Sequence, residues 1–192
     1  MLATSQKGEA AGRRNLRLAL VLERLTGRTQ DREYQSQAMR DGIEREEAAR
    51  ALYEVVAGRL VQTVGYVAHD SLMAGFSPDG FVGALDEGIV EAKAPQPAAH
   101  YEYLRTGQVP KDYRDQCLHG LWISGAKWCD WFSYQPDFDE RLQMKLVRIH
   151  RNEAEIAEYE AKARAFLREV DLELQALKTM ADTAGTLQEA SA

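Results

Sequence analysis

Cysteine is nearly absent: the 192 residues contain two, Cys117 and Cys129, with no Cys-x-x-Cys spacing. That argues against a zinc finger or an iron–sulfur cluster, and it fits a reducing, cytoplasmic setting better than a disulfide-stapled secreted domain. No run approaches the roughly 18 apolar residues of a membrane-spanning helix. The opening Met1-Leu2-Ala3-Thr4-Ser5-Gln6-Lys7 lacks the apolar stretch of a signal peptide. No internal repeat is present, and no glycine-rich loop of the Gly-Lys-Thr type exists to cradle a triphosphate, so nothing supports ATP hydrolysis. Positive charge is in short supply too, with 24 Lys and Arg against 30 Asp and Glu, a formal net charge of −6.

What remains is a chain with 45% hydrophobic residues, enough for one domain with its own core. Apolar periodicity predicts a helix from Asn15 to Leu25, stopped by Thr26-Gly27, and another from Gln37 to Val56. Val61 to Val67 reads as a strand. Two helices, Ala98 to Thr106 and Lys111 to Ile123, are separated by Gly107 and Pro110. Trp128 to Tyr134 and Met144 to Ile149 read as strands. A long helix from about Asn152 to Met180 carries the stripe Ile156, Tyr159, Ala163, Phe166, Val170 and Leu174. The expected organisation is a flexible N-terminus over 1–14, one α/β domain over 15–180 and a disordered tail over 181–192.

Chemistry is concentrated in Ser77-Pro78-Asp79-Gly80 and Gly88-Ile89-Val90-Glu91-Ala92-Lys93. The turn Gly83-Ala84-Leu85-Asp86-Glu87-Gly88 between them is built to reverse the chain. On a strand, Ile89, Glu91 and Lys93 share one face, and Glu91 and Lys93 sit about 6.6 Å apart along it. Asp79, from the neighbouring segment, can reach the same patch. Acids converging beside apolar strands are expensive to bury unpaired, and a divalent cation is the usual partner. The ordinary alternative is a surface ion pair on a solvated strand. Against it, Phe76, Phe81, Val82, Ile89 and Val90 make both segments apolar, as in a central strand. Pro95 closes the second segment, leaving Lys93 at a strand's C-terminal end, where open α/β sheets place their sites.

A third carboxylate aims the same way. In the helix from Gln37, the positions Met39, Gly42, Glu46, Ala49, Tyr53 and Val56 step by three and four along one face, flanked by Ile43 and Leu52. Glu46 is the charge inside that stripe, whereas Glu44, Arg45, Glu47, Arg50 and Glu54 occupy the remaining surface. An acid snorkelling at the stripe's edge, or a slipped helix phase, is the other reading.

Taken in order, these motifs resemble the phage-type (lambda-like) alkaline exonucleases, the YqaJ-like viral recombinase family of the PD-(D/E)xK nuclease superfamily. The resemblance runs from about Leu20 to Leu167. It rests on the helix Gly42 to Glu54, Ser77-Pro78-Asp79-Gly80, Glu91-Ala92-Lys93 with Pro95, Tyr113-Arg114-Asp115-Gln116 leading into Leu121-Trp122, and Lys127 to Trp131 with Tyr134 and Pro136.

The resemblance implies a restriction-endonuclease-like core, a central mixed β-sheet flanked by helices, with a long C-terminal helix. It implies a metal-dependent exonuclease of phage recombination that hydrolyses one strand of linear duplex DNA, 5′ to 3′, exposing single strand for an annealing protein. Asp79 and Glu91 match its metal-binding carboxylates, with the carbonyl of Ala92 as a further ligand. Glu46 matches a helix glutamate that reaches the same site, and Lys93 the lysine that orients or activates the attacking water. Gln116 matches a glutamine that helps hold the site and the substrate strand, and Ser77 and Tyr113 fall in the same substrate-binding region. Where the family often has another acid, this sequence has His69-Asp70, and the correspondence stays open. One or two Mg²⁺ or Mn²⁺ ions are implied, as is a ring-shaped homotrimer around double-stranded DNA.

Two departures bear on that expectation. A DNA-binding surface is usually basic, yet the net charge is −6. Arg13, Arg14 and Arg17, and Arg105, Lys111 and Arg114, are candidate basic strips, with solvated helix faces as the plainer alternative. Family members also carry an arginine-bearing segment before the first long helix that engages the DNA end and its 5′ phosphate. The sequence begins after that point, and Arg13 and Arg14 lie in a different context. The alternatives are therefore a DNA-binding or assembly module that cannot seat an end, and an endonuclease of the same superfamily.

Overall fold

The structure, a computed structural model, describes residues 4–5, 8–30, 37–84 and 86–189, with side chains described over 10–30, 45–84 and 86–183. The chain forms two compact units, residues 1–33 with 158–192, and residues 34–157.

The elements in chain order are β1 (Thr4–Ser5), β2 (Gly8–Glu9), α1 (Ala11–Thr26), α2 (Gln37–Ala57), β3 (Val67–Ala68), β4 (Gly75–Phe76), β5 (Gly80–Val82) and β6 (Gly88–Lys93). They continue with α3 (Pro97–Thr106), α4 (Lys111–Ser124), β7 (Trp128–Tyr134), a 3-10 turn at Glu140–Leu142, β8 (Met144–His150) and α5 (Glu153–Glu189). In the first unit, Val21 of α1 packs with Phe166 and Val170 of α5. Arg13 and Arg17 pair with Glu169, Arg17 also with Glu173, and Arg24 with Asp171.

The second unit is built on a four-stranded mixed sheet in the order β5-β6-β7-β8. β6 pairs antiparallel with β5 and parallel with β7, and β7 pairs antiparallel with β8. Alternation along these strands makes two faces. Val82, Val90, Trp128, Phe132 and Tyr134 cluster with Ala49 and Tyr53, so one face is covered by α2. The other face carries Ile89 and Trp131. There α4 comes close enough that a Cβ on Gly120 would lie 2.7 Å from Ile89 Cδ1, and Tyr113 stacks on Trp131. α3 and α4 each end on a glycine in the left-handed region, Gly107 (φ 69°) and Gly125 (φ 72°), where a Cβ would be strained.

The predicted helices and strands are present with shifted ends, apart from Val61–Val67. That segment makes one isolated bridge, Gln62 to Phe81, and then the two-residue β3, which pairs with β4 in a separate small sheet. Gln62, Thr63, Gly65 and Tyr66 are exposed, so the segment has no buried face to hold it in the main sheet. α1 begins four residues earlier than predicted, and α5 continues to Glu189, past Met180. Residues 1–3, 6–7 and 190–192, parts of the expected flexible N-terminus and tail, lie outside the described residues, as do Leu85 and the side chains of Met39, Gly42 and Ile43. Among the described residues no helix is long and apolar enough to cross a membrane.

Candidate active site

β5 is the shortest strand of the main sheet, and its shortness opens the site. Gly80 stands opposite Val90 and Val82 opposite Gly88. In an antiparallel ladder the residues that exchange both hydrogen bonds alternate, and each uses its N–H and C=O on the same side of its strand. Continuing the register would place Pro78 opposite Ala92. Proline has no N–H to give the Ala92 carbonyl. The Ala92 N–H is taken by the side chain of Asp79, donating to Oδ2 at 2.7 Å. The buried Pro78 thus ends the ladder, and an acid replaces the next backbone partner.

Asp79, Glu91 and Lys93 come together here. Lys93 Nζ donates to Glu91 Oε1 in a part-buried ion pair and lies 5.2 Å from the centroid of the Tyr113 ring. Tyr113 is held in turn by Trp131, stacked at 6.0 Å, and Tyr103, edge-on at 6.4 Å. Burial pushes the Asp79 carboxyl up to about 6, with Glu91 adding to the shift; the Ala92 N–H and Lys93 oppose it, and Glu46 adds a little more. For Lys93, burial works against the ammonium, but Glu91 and Asp79 outweigh it and the pKa is raised.

Glu46 stands one turn before the buried Ala49 on α2, and its carboxylate accepts from Arg50 Nη1 at 2.7 Å. It is close enough to act on the Asp79 charge, but among the described residues no three His, Cys, Asp or Glu side chains gather as a ready cluster for one ion. Each acid has its own partner: Arg50 for Glu46, Lys93 for Glu91 and the Ala92 N–H for Asp79. Gln116 and Ser77 are exposed, Gln116 one turn beyond Tyr113 on α4. Asp70 is exposed, and the His69 ring packs against Trp122 at 5.0 Å. The donor types fit a hard divalent cation: carboxylates and a peptide carbonyl, with neither thiolate nor imidazole beside them. The negative charge that lifts Asp79 is also what such an ion would relieve.

A second acid escaped the sequence reading. Asp130 of β7 is fully buried on the α2 face, where it accepts from Tyr53 Oη at 2.7 Å and from Arg148 Nε and Nη2, both at 2.7 Å. Arg148 also lies 3.9 Å from the Trp128 ring centroid. Tyr53 is two turns along α2 from Glu46, so this network fixes the helix that presents Glu46. The signal was there: the alternation of Trp128 to Tyr134 sets one charge on an apolar face. The candidate basic strips are mostly occupied within the chain, Arg105 by Glu102, Lys111 by Asp115 and Arg114 by Glu155. His100 is buried between Ser133 and the Leu142 carbonyl, as a packed histidine should be. Cys117 and Cys129 are both buried. The bond to Cys117, with burial, holds the Cys129 thiol well above its usual pKa, so Cys129 is not a reactive thiolate.

Comparison with solved structures places this architecture. The crystal structure of an alkaline exonuclease (LHK-Exo) from Laribacter hongkongensis is 36% identical, with a TM-score of 0.83 over 92% of this chain and 88% of that one. LHK-Exo in complex with dAMP gives 37% identity and a TM-score of 0.84 over the same shares. A phage-related exonuclease from Haemophilus somnus 129PT, 12% identical with a TM-score of 0.66 over 92% and 91%, shares the fold alone. No curated protein matches the chain. The YqaJ-like viral recombinase domain matches residues 6–127, a span that holds Glu46, Asp79, Glu91, Lys93 and Gln116. On that match, and on the identity to LHK-Exo across nearly the whole length, the chain belongs to the YqaJ-like viral recombinase family.

Proposed function

We propose that this protein is a divalent-cation-dependent exodeoxyribonuclease that shortens one strand of linear duplex DNA from its 5′ end, exposing the other for a single-strand annealing partner. The observation that carries the reading is the bond from the Ala92 N–H to Asp79 beside the Glu91–Lys93 pair, at the strand end where β5 stops. Asp79, Glu91 and the Ala92 carbonyl are the groups that would hold one or two Mg²⁺ or Mn²⁺ ions, with Glu46 completing the set from α2. Such an ion, when bound, supplies neutralisation of the scissile phosphate and acidification of the attacking water.

The chain's own residues do the rest. Glu91 has acceptor sites enough to serve the ion and Lys93 at once. Lys93, kept charged by its two acids, orients the attacking water and offsets the negative charge that grows on its oxygen as the proton leaves. The Tyr113 ring, 5.2 Å from the ammonium, helps to hold it in place. Gln116 and Ser77, both exposed, contact the strand being cut. The annealing partner and a ring-shaped homotrimer rest on family likeness, as does the catalytic span 15–180.

Linear duplex labelled at its 5′ ends, incubated with protein and Mg²⁺, should release the label first, and EDTA should stop release. Covalently closed circles should stay intact. The Lys93→Ala variant should bind DNA in EDTA as the parent does and cut on the order of 10²-fold more slowly. Cutting of closed circles, or digestion by Lys93→Ala at the parental rate, would overturn the assignment.

A further inference from the structure

Lys93 is the last residue of β6 and carries its ammonium on a flexible four-carbon stem, so a single ion pair with Glu91 leaves it much freedom. Its second hold is the Tyr113 ring, over which Nζ lies 5.2 Å from the centroid. Tyr113 stands in the first turn of α4, and its ring is set by neighbours from other elements. Trp131 of β7 stacks on it at 6.0 Å and 26°, and Tyr103 of α3 meets it edge-on at 6.4 Å and 82°. Tyr103 also meets Trp131 edge-on, at 5.4 Å and 76°, so the three rings close a triangle. The two tyrosine hydroxyls are hydrogen-bonded to each other. Trp131 is fully buried and its indole N–H has no acceptor among the described residues, which leaves ring packing to hold it.

α3 is anchored where it presents Tyr103. His100, three residues earlier and so on the same helix face, is buried with its ring bonded to Ser133 Oγ and to the Leu142 carbonyl, each at 2.7 Å. The Gly107 N–H donates to the Tyr103 carbonyl at 3.0 Å and ends the helix one turn later. Ser133 and Trp131, the β7 residues met by His100 and Tyr103, stand opposite Lys93 and Glu91 in the parallel register. We propose that Tyr103 is a positioning residue for the nuclease reaction: packed against Tyr113 and Trp131, it holds the Tyr113 ring where that ring steadies the Lys93 ammonium. Tyr103 acts through Tyr113 and Lys93, not by touching DNA. The inference rests on the nuclease reading for what Lys93 does, and on ring geometry for how Lys93 is held.

Tyr103→Leu keeps an apolar side chain and removes the ring, whereas Tyr103→Phe keeps the ring and removes the hydroxyl. On linear duplex with Mg²⁺, Tyr103→Leu should lower kcat on the order of tenfold, with KM and DNA binding in EDTA unchanged. Tyr103→Phe should bring kcat back to within about twofold of the parent. Nuclear magnetic resonance on protein with isotope-labelled lysine reads the geometry without turnover. The ε-methylene signal of Lys93, assigned by its absence from Lys93→Arg, should be displaced by the Tyr113 ring current in the parent and in Tyr103→Phe. In Tyr103→Leu it should move towards the ordinary lysine position. Tyr101→Leu, an exposed change on the same helix, should alter neither kcat nor that signal. Tyr103→Met reads out the same way should the Leu variant not fold. A parental kcat in Tyr103→Leu would overturn the proposal. So would a lowered kcat with the Lys93 signal unmoved, because Tyr103 would then act on stability alone. A parent protein that never cuts DNA, with the Lys93 signal still shifting in Tyr103→Leu, would sink the nuclease reading and leave the placement of Lys93 by Tyr103 standing.

Discussion

Single residues here are legible when a charge sits where periodicity demands an apolar group. Glu46 stands out in the stripe of α2 for that reason, and Asp130 could have been read from β7 by the same rule. Its partners could not, because Tyr53 and Arg148 are 77 and 18 residues away in sequence. Local pattern says that a buried charge needs a partner and is silent on which one. His100 and His119 behave as packed groups. His119 is half-buried, and burial lowers its pKa, opposed by the bond from its ring to the Gly75 carbonyl. A folded-state pKa below the unfolded value near 6.5 means the neutral ring is favoured in the fold. Its contribution is therefore complete above pH 6.5 and is lost as pH falls from there towards the folded pKa. The urea midpoint should drop between pH 7.5 and 5.5, and His119→Gln should flatten that drop; an unchanged pH slope in the variant would count against the assignment.

At the scale of elements, strands with a face to bury were visible in advance, β7 to the residue, because alternation and aromatic content agree there. The exception, Val61 to Val67, failed because β propensity without burial does not specify pairing. Register was the hidden variable. The parallel pairing of β6 with β7 brings Gly88 opposite Trp128, and a Cβ on Gly88 would lie 2.2 Å from the indole ring. Trp128 is itself sandwiched under Arg148 and cannot easily give way. Gly88→Ala should thus cost about 1–3 kcal/mol by overpacking, read as a lower denaturant midpoint at unchanged m-value. A stability equal to the parent's would mean the two strands slide more freely than this register allows.

For the whole molecule, sequence motifs in a fixed order were enough to name the family and the sheet-with-helices architecture. Contacts between distant segments were not. The arginines that looked like a basic strip near the start, Arg13 and Arg17, are spent on Glu169 and Glu173, more than 150 residues further on. Overall stability should also report on the site. If Asp79, Glu91 and the Ala92 carbonyl bind Mg²⁺ in the native state alone, then Mg²⁺ at about 100 times its Kd adds about 2.7 kcal/mol and raises the Tm. Asp79→Asn should abolish that rise, and a rise that persists in the variant would place the ion elsewhere. The unfinished edge of the sheet gives this its wider meaning. Proline at position 78 denies the hairpin one more rung, and the proposed metal-binding groups lie in the gap. A relative bearing an N–H donor there, with the hairpin zipped one step further, could keep every acid and the lysine and still be disarmed.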